Sequence, residues 1–247
     1  MILTIAMREL RSLFLSPLAW IILAVMQFIL SWIFFAQIET FFALQAQLSA
    51  MQGAPGVSDL VVAPMFSSAS ILLLMICPLL TMRLIAEEKR SGTINLLLSS
   101  PISMTQIILG KYLGILLFLL ILLVQMALLP LSLYWGTDLD SGKLLAGILG
   151  QFLLLAAFAA AGLYISTLTR NPVVAAVSSF GLLIMLWIVD AAARGNEDSV
   201  FAYLSIIRHN TPMLRGIISS VDLVYYLLFI LSFIILSIRQ LDSQRLQ

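Results

Sequence analysis

The sequence predicts an all-α integral membrane protein with six transmembrane helices. Hydrophobic residues make up 62% of the 247 positions and charged residues 10%. A soluble domain carries about 25% charged residues, so this chain has too few to cover a globular surface. The mean hydropathy is +1.10. Six apolar runs each approach the roughly 20 residues that a helix needs to cross about 30 Å of hydrocarbon. They lie at 18–38, 66–84, 113–134, 144–168, 173–192 and 222–238, and together they make 1–247 a single transmembrane domain.

The first element, 1–16 (MILTIAMRELRSLFLS), precedes the first span. Ile2, Ile5, Ala6, Leu10, Leu13 and Phe14 share one helical face, opposite Arg8, Glu9 and Arg11. That pattern predicts a helix in the plane of the membrane interface; the alternative is a basic tail that only sets topology. The apolar run that follows exceeds the 7–15 residues of a signal-peptide core, so it is read as a retained span.

Orientation follows from lysine and arginine, which accumulate on the cytoplasmic side. With the N-terminus inside, Arg8, Arg11, Arg83, Lys89, Arg90, Lys111, Arg170, Arg239 and Arg245 are cytoplasmic, against Lys143, Arg194, Arg208 and Arg215 outside. Nine against four places both termini in the cytoplasm, in a bacterial inner membrane. The net charge of +1 gives no electrostatic footprint for nucleic acid.

The middles of the spans carry no Asp, Glu, Lys, Arg or His. Ionisable groups at membrane depth mark ion and proton pathways, so a proton-coupled carrier, a voltage sensor and an intramembrane hydrolase are disfavoured. Gln27 and Gln125 are read as the most polar side chains there, each suited to a hydrogen bond between helices. Small residues crowd the fourth and fifth spans (AAFAAAG, 156–162; VVAAVSSFG, 173–181), and Gly110 and Gly114 form one G-x-x-x-G. Such residues let helices approach closely. Pro78 and Pro130 are expected to bend their helices.

The chain carries no engine of its own. The nearest approach to a nucleotide-binding G-x-x-x-x-G-K-[ST] is Gly110-Lys111, with Thr105 in the first glycine's place and Tyr112 where Ser or Thr is required. His209 is the single histidine and Cys77 the single cysteine. No catalytic or metal-ligating constellation follows from them, so the chain is expected to be a non-catalytic subunit.

The loop 85–101 holds the densest charge. Glu87, Glu88, Lys89 and Arg90 keep it in water; Gly92 breaks the helix and Thr93 is a candidate N-cap for another. Ile94, Leu96, Leu97 and Leu98 give that short helix an apolar face before Pro101. About two turns are unstable alone. The face therefore needs a groove, which the membrane surface or another protein can supply.

EEKRSGTINLLLSSPIS followed by LGKYLG resembles the signature of ABC-2 type permeases, the membrane subunits of ATP-binding-cassette transporters. The matching positions are Glu88, Lys89, Arg90, Gly92, Thr93, Leu96, Leu97, Pro101, Gly110 and Lys111. RELRSLFLSPLAW (8–20) is similar to the interfacial helix of the gliding-motility and nitrous-oxide-reductase-maturation permeases. LSIIRHNTPMLRGIISSVDLVYY (204–226) looks like their segment before the last helix, with His209, Arg215, Gly216, Asp222 and Tyr225 in the recurring places. Asn210 stands where that subgroup often has an aromatic residue.

The resemblance implies a loop that couples to two copies of a cytoplasmic ATPase, which bind ATP and magnesium. It also implies a second permease subunit, identical or related, and admits an extracytoplasmic auxiliary protein. Segment 193–222 is then expected to fold as two short helices, divided at Thr211-Pro212, that lid the path from the outer leaflet; the alternative is a surface loop packed on the span ends. His209 is read there as a hydrogen-bonded structural residue in preference to a ligand. The competing function is a membrane scaffold that recruits cytoplasmic proteins without an energised cycle.

Topology is directly testable. In a Cys77→Ser background, a thiol introduced by Ser91→Cys should resist an impermeant reagent added outside intact cells. Labelling from outside would reverse the orientation.

Overall fold

A computed structural model describes residues 1–48, 55–94, 102–136, 139–193 and 205–245. All regular structure among them is helical: α1 (Ile2–Leu15), α2 (Pro17–Leu48), α3 (Ala63–Thr81), α4 (Ala86–Ser91), α5 (Met104–Leu131), α6 (Ser141–Leu168), α7 (Pro172–Ala193), α8 (Ile206–Leu214) and α9 (Ser220–Arg245). A π turn, Ser58–Val62, leads into α3, and a 3₁₀ turn, Ser132–Trp135, follows α5. Six helices among the described residues are long and apolar enough to cross a membrane. This is a multi-pass membrane protein. An even number of crossings returns the chain to the side on which it began.

Several helices run past the apolar stretches because caps, and not hydropathy, end them. Ser103 accepts a hydrogen bond from the Gln106 amide and starts α5 at Met104, so Gly110 and Lys111 lie inside a helix. Asp140 Oδ1 accepts from the Gly142 and Lys143 amides at 2.9 and 3.2 Å and starts α6. Side-chain oxygens satisfy amides that have no partner within the helix.

The bundle is organised around α6, which packs against α3, α5, α7, α8 and α9. About 78% of its most apolar window is buried, against 17% for α7 and 22% for α9. The run AAFAAAG at its middle is buried throughout. Lipid tails are as apolar as leucine, so helices in a membrane gain by close packing; α6 permits it from every side. A Cβ on Gly162 would lie 2.2 Å from Thr81 Oγ1, and one on Gly150 would meet Asn210 Oδ1 and Met213 Cβ at 2.8 Å. No methyl group fits at either place.

Between α3 and α4 the helix breaks, and backbone amides lose their partners. One side chain from α6 replaces them. Ser166 Oγ accepts from the Ile85 and Ala86 amides at 3.1 and 3.0 Å and donates to the Met82 carbonyl at 3.0 Å. Lys89 Nζ donates to the Thr167 carbonyl beside it.

Two expectations are corrected here. Thr211-Pro212 does not divide the segment before the last span: Pro212 lies inside α8, in its final turn, where the missing amide disrupts little. The break falls at Gly216, whose φ of +87° is left-handed. Gln151, overlooked within the fourth span, is fully buried. Its Nε2 donates to Ser70 Oγ at 2.8 Å and to the Phe66 carbonyl. Gln125 does join two spans, donating to the Leu23 carbonyl at 3.2 Å, whereas Gln27 Oε1 is buried with no hydrogen-bond partner among the described residues.

The packing around α6 predicts a contrast between glycines. Gly162→Ala should destabilise the bundle by about 1–3 kcal/mol through overpacking. Gly181→Ala, which meets nothing within 4 Å, should be neutral or gain up to about 1 kcal/mol of helix propensity. Thermal unfolding of both variants in detergent measures the difference, and equal midpoints would contradict the packing argument.

Candidate functional site

Two polar clusters stand out, one near each end of the bundle. The first grows from α1. That helix lies on α5 at Gly110 and Gly114, where an added Cβ would fall 2.7 Å from Ile5 Cβ and Glu9 Cβ respectively. The G-x-x-x-G thus seats the N-terminal helix of the same chain. This contact turns Glu9 inward, away from the solvated face that helical periodicity assigns it.

Lys111, one position after Gly110, has a side chain only 1% exposed. Its Nζ donates to Glu9 Oε1 and to Glu88 Oε1, both at 2.8 Å. Three elements are therefore joined through one ammonium: α1 by Glu9, α4 by Glu88, and α5 by the lysine itself. Arg8 Nη2 adds weaker attraction, 3.4 Å from Glu9 Oε1 and 3.8 Å from Glu88 Oε1. Glu88 Oε2 is buried and has no hydrogen-bond partner among the described residues.

The rest of α4 faces outward. Glu87 is 59% exposed and only 4.0 Å from Arg83, one turn earlier; such pairs contribute about 0–1 kcal/mol. Arg90 is exposed, so Glu88 is held by Lys111 and not by Arg90. Gly92, at φ +76°, ends α4. Thr93 turns back: its Oγ1 lies 2.9 Å from Ser91 Oγ and donates to the Glu88 carbonyl at 3.4 Å. Its hydroxyl thus closes the end of α4. Leu96, Leu97 and Pro101 lie outside the described residues.

The second cluster surrounds α8, whose start is capped by Ser205. His209 Nδ1 lies 2.6 Å from Asp222 Oδ1, and its ring stacks on Tyr225 with centroids 4.0 Å apart. Tyr226 Oη donates to the Ile206 carbonyl at 2.8 Å. Asn210 Nδ2 donates to Ser70 Oγ at 3.3 Å, which connects α8 to the Gln151 network. Gly216 packs on Lys143, where an added Cβ would lie 2.7 Å from Cγ. Lys143 Nζ in turn donates to both Asp59 oxygens at 2.8 and 2.9 Å. Arg215 is exposed at the end of α8.

A family model for "ABC-2 family transporter protein" matches residues 3–196. The chain belongs to this family. It is thereby a transmembrane permease of the ABC-transporter class, a membrane subunit. Among curated proteins, none matches it. The matched stretch contains the Glu9–Lys111–Glu88 cluster and ends before α8.

In this ABC-2 permease the predicted loop residues separate by role. Glu88 and Lys89 are tied to the bundle, while Glu87, Arg90, Gly92 and Thr93 remain at the surface. At the other end His209, Asp222 and Tyr225 come together, and Gly216 joins a neighbouring ion pair. Sequence reasoning missed Glu9. The available signal was its two neighbours: a glutamate facing a G-x-x-x-G with an embedded lysine has an opposite charge within reach.

Removing one partner from a buried ion pair leaves an uncompensated charge, at a cost of about 3–5 kcal/mol. Lys111→Met should therefore destabilise the permease by about that amount. Adding Glu9→Gln and Glu88→Gln should recover most of the loss, because no buried charge then lacks a partner. Thermal unfolding in detergent provides the readout, and Lys111→Met unfolding with the wild-type midpoint would show that the cluster contributes nothing.

Proposed function

We propose that this chain is half of an ATP-driven export or force-transmitting complex, and that loop 85–101 docks on a cytoplasmic ATPase. The observation that carries the reading is the shared ammonium of Lys111. Glu88 sits at the root of the loop, and its bond to Lys111 passes to α1 through Glu9 and to the bundle through α5. A push on the loop cannot shift α4 alone. It must move the interfacial helix and a transmembrane helix with it, or break a buried ion pair.

On this reading Leu96 and Leu97 occupy a cleft of the ATPase and supply most of the affinity. Burial of a leucine contributes roughly 1.5–3 kcal/mol. Glu87, Lys89, Arg90, Gly92, Thr93 and Pro101 shape and solvate the loop around them. ATP and magnesium stay in the ATPase, two copies of which act beneath two permease halves, identical or related. Both termini are cytoplasmic and the membrane is the bacterial inner membrane, in keeping with the nine-to-four distribution of basic residues. The motifs at 8–20 and 204–226 favour the gliding-motility and nitrous-oxide-reductase-maturation subgroup. In it α8, held by His209, Asp222 and Tyr225, with Arg215 and Gly216 at its end, acts as the extracytoplasmic lid.

Leu96→Asp or Leu97→Asp should release the ATPase from the purified complex while the permease remains inserted; an interface-centre truncation alone costs over about 1 kcal/mol. Glu88→Ala should keep the ATPase bound yet lower the work done per ATP. Pull-down and activity are compared for each variant. Normal ATPase binding and activity in both leucine variants would return the loop to a membrane-surface helix.

A further inference from the structure

A cavity of about 740 Å³ opens where α1, the start of α2 and the end of α3 meet. That is within the 300–1,000 Å³ of typical small-molecule sites. Its charged lining is Arg8, Glu9, Arg83, Glu87, Glu88 and Lys111: three cations and three anions. Its apolar wall is Leu13, Leu18, Ala19, Leu80 and Leu84. The surface beside that wall is equally apolar, because Ile21, Val25 and Phe28 of α2 are exposed. Trp20, 60% exposed, donates its Nε1–H to the Phe14 carbonyl at 3.0 Å. Tryptophan in this posture belongs at the level of lipid headgroups.

We propose that this cavity binds the headgroup of a phospholipid that carries both a phosphate and a primary ammonium. The balanced lining argues for a zwitterion: a net-anionic headgroup would find as much repulsion as attraction. Arg83 is placed for the phosphate, with Nη1 donating to Ser16 Oγ at 3.4 Å and its side chain still 35% exposed. Arg8, 61% exposed, lines the same cavity. The ammonium is called for by the carboxylates of the lining, of which Glu87 is 59% exposed and stands 4.0 Å from Arg83. A primary ammonium brings three N–H donors to such a group. A quaternary choline brings none. The acyl chains follow the exposed apolar face of α2 into the membrane, which a free phosphoethanolamine would have no means to use.

The lipid would then sit against all three residues of the Lys111 cluster. It needs no ATPase, so its test is independent of the coupling proposal. Native mass spectrometry of the full chain, released from detergent micelles, counts bound lipid for palmitoyl-oleoyl phosphatidylethanolamine. The same count is made for its mono-, di- and trimethylated headgroups and for phosphatidylglycerol.

One phosphatidylethanolamine should be retained per chain. Affinity should fall about tenfold at the trimethyl step, as expected for one lost charge-assisted hydrogen bond. Arg83→Ala should weaken retention of every member of the series, and Ser12→Trp, which projects a bulky ring into the cavity, should do the same. Equal retention across the methylation series, or stronger retention of phosphatidylglycerol, overturns the proposal. So does unchanged retention in both variants, which would put the lipid elsewhere.

Discussion

Helices surrounded by lipid gain little by burying one more leucine, and this constraint shapes the whole chain. Association has to come from close approach and from polar groups that find partners. Helix α6 meets both demands. Its alanines and glycines admit α3, α5, α7, α8 and α9, while Gln151 in its first half and Ser166 near its end supply hydrogen bonds. The large apolar side chains of α2, α7 and α9 are directed largely outward, as Phe28, Met185 and Leu228 illustrate. The surface is inverted relative to a soluble protein: large apolar residues face outward, while small ones line the closest contacts of α6.

The same constraint explains why the polar clusters lie near the ends of the bundle. A lysine with two carboxylates is affordable where α1, α4 and α5 converge, because water and headgroups can screen what the ion pairs leave over. His209 with Asp222 occupies the corresponding position near the other end, shielded by the Tyr225 ring. Between them the described helices rely on neutral hydrogen bonds. The bundle thus has two electrostatically distinct ends joined by a nearly uncharged middle, a suitable build for passing movement along helix axes without moving charge through the membrane.

Much of the fold was legible because hydropathy and helix length are set by the same 30 Å of hydrocarbon. Six crossings, an amphipathic first helix and a helix end at Gly92 all follow from runs of apolar residues and from glycine. Helix limits were less legible. Ser103 and Asp140 each extend a helix, α5 and α6, through the capping bonds of one side chain, which apolar averages do not register. Pro212 misled for a related reason: proline disrupts a helix interior, but within a final turn it has little left to disrupt. The candidate site was half visible. Glu88 was marked by the loop motif, whereas Glu9 required knowing that α1 lies on Gly110 and Gly114, a contact across about a hundred positions of sequence. Gln151 was hidden by alanine-rich surroundings that read as packing alone.

Ser166 carries one consequence of its own. A serine hydroxyl has one proton and two lone pairs, and here two amides and one carbonyl engage all three. The group is saturated. If Ser166 withdraws from the α3–α4 bend, the Ile85 and Ala86 amides and the Met82 carbonyl lose the same partner together. One rotamer of one side chain therefore decides the pairing of three backbone groups.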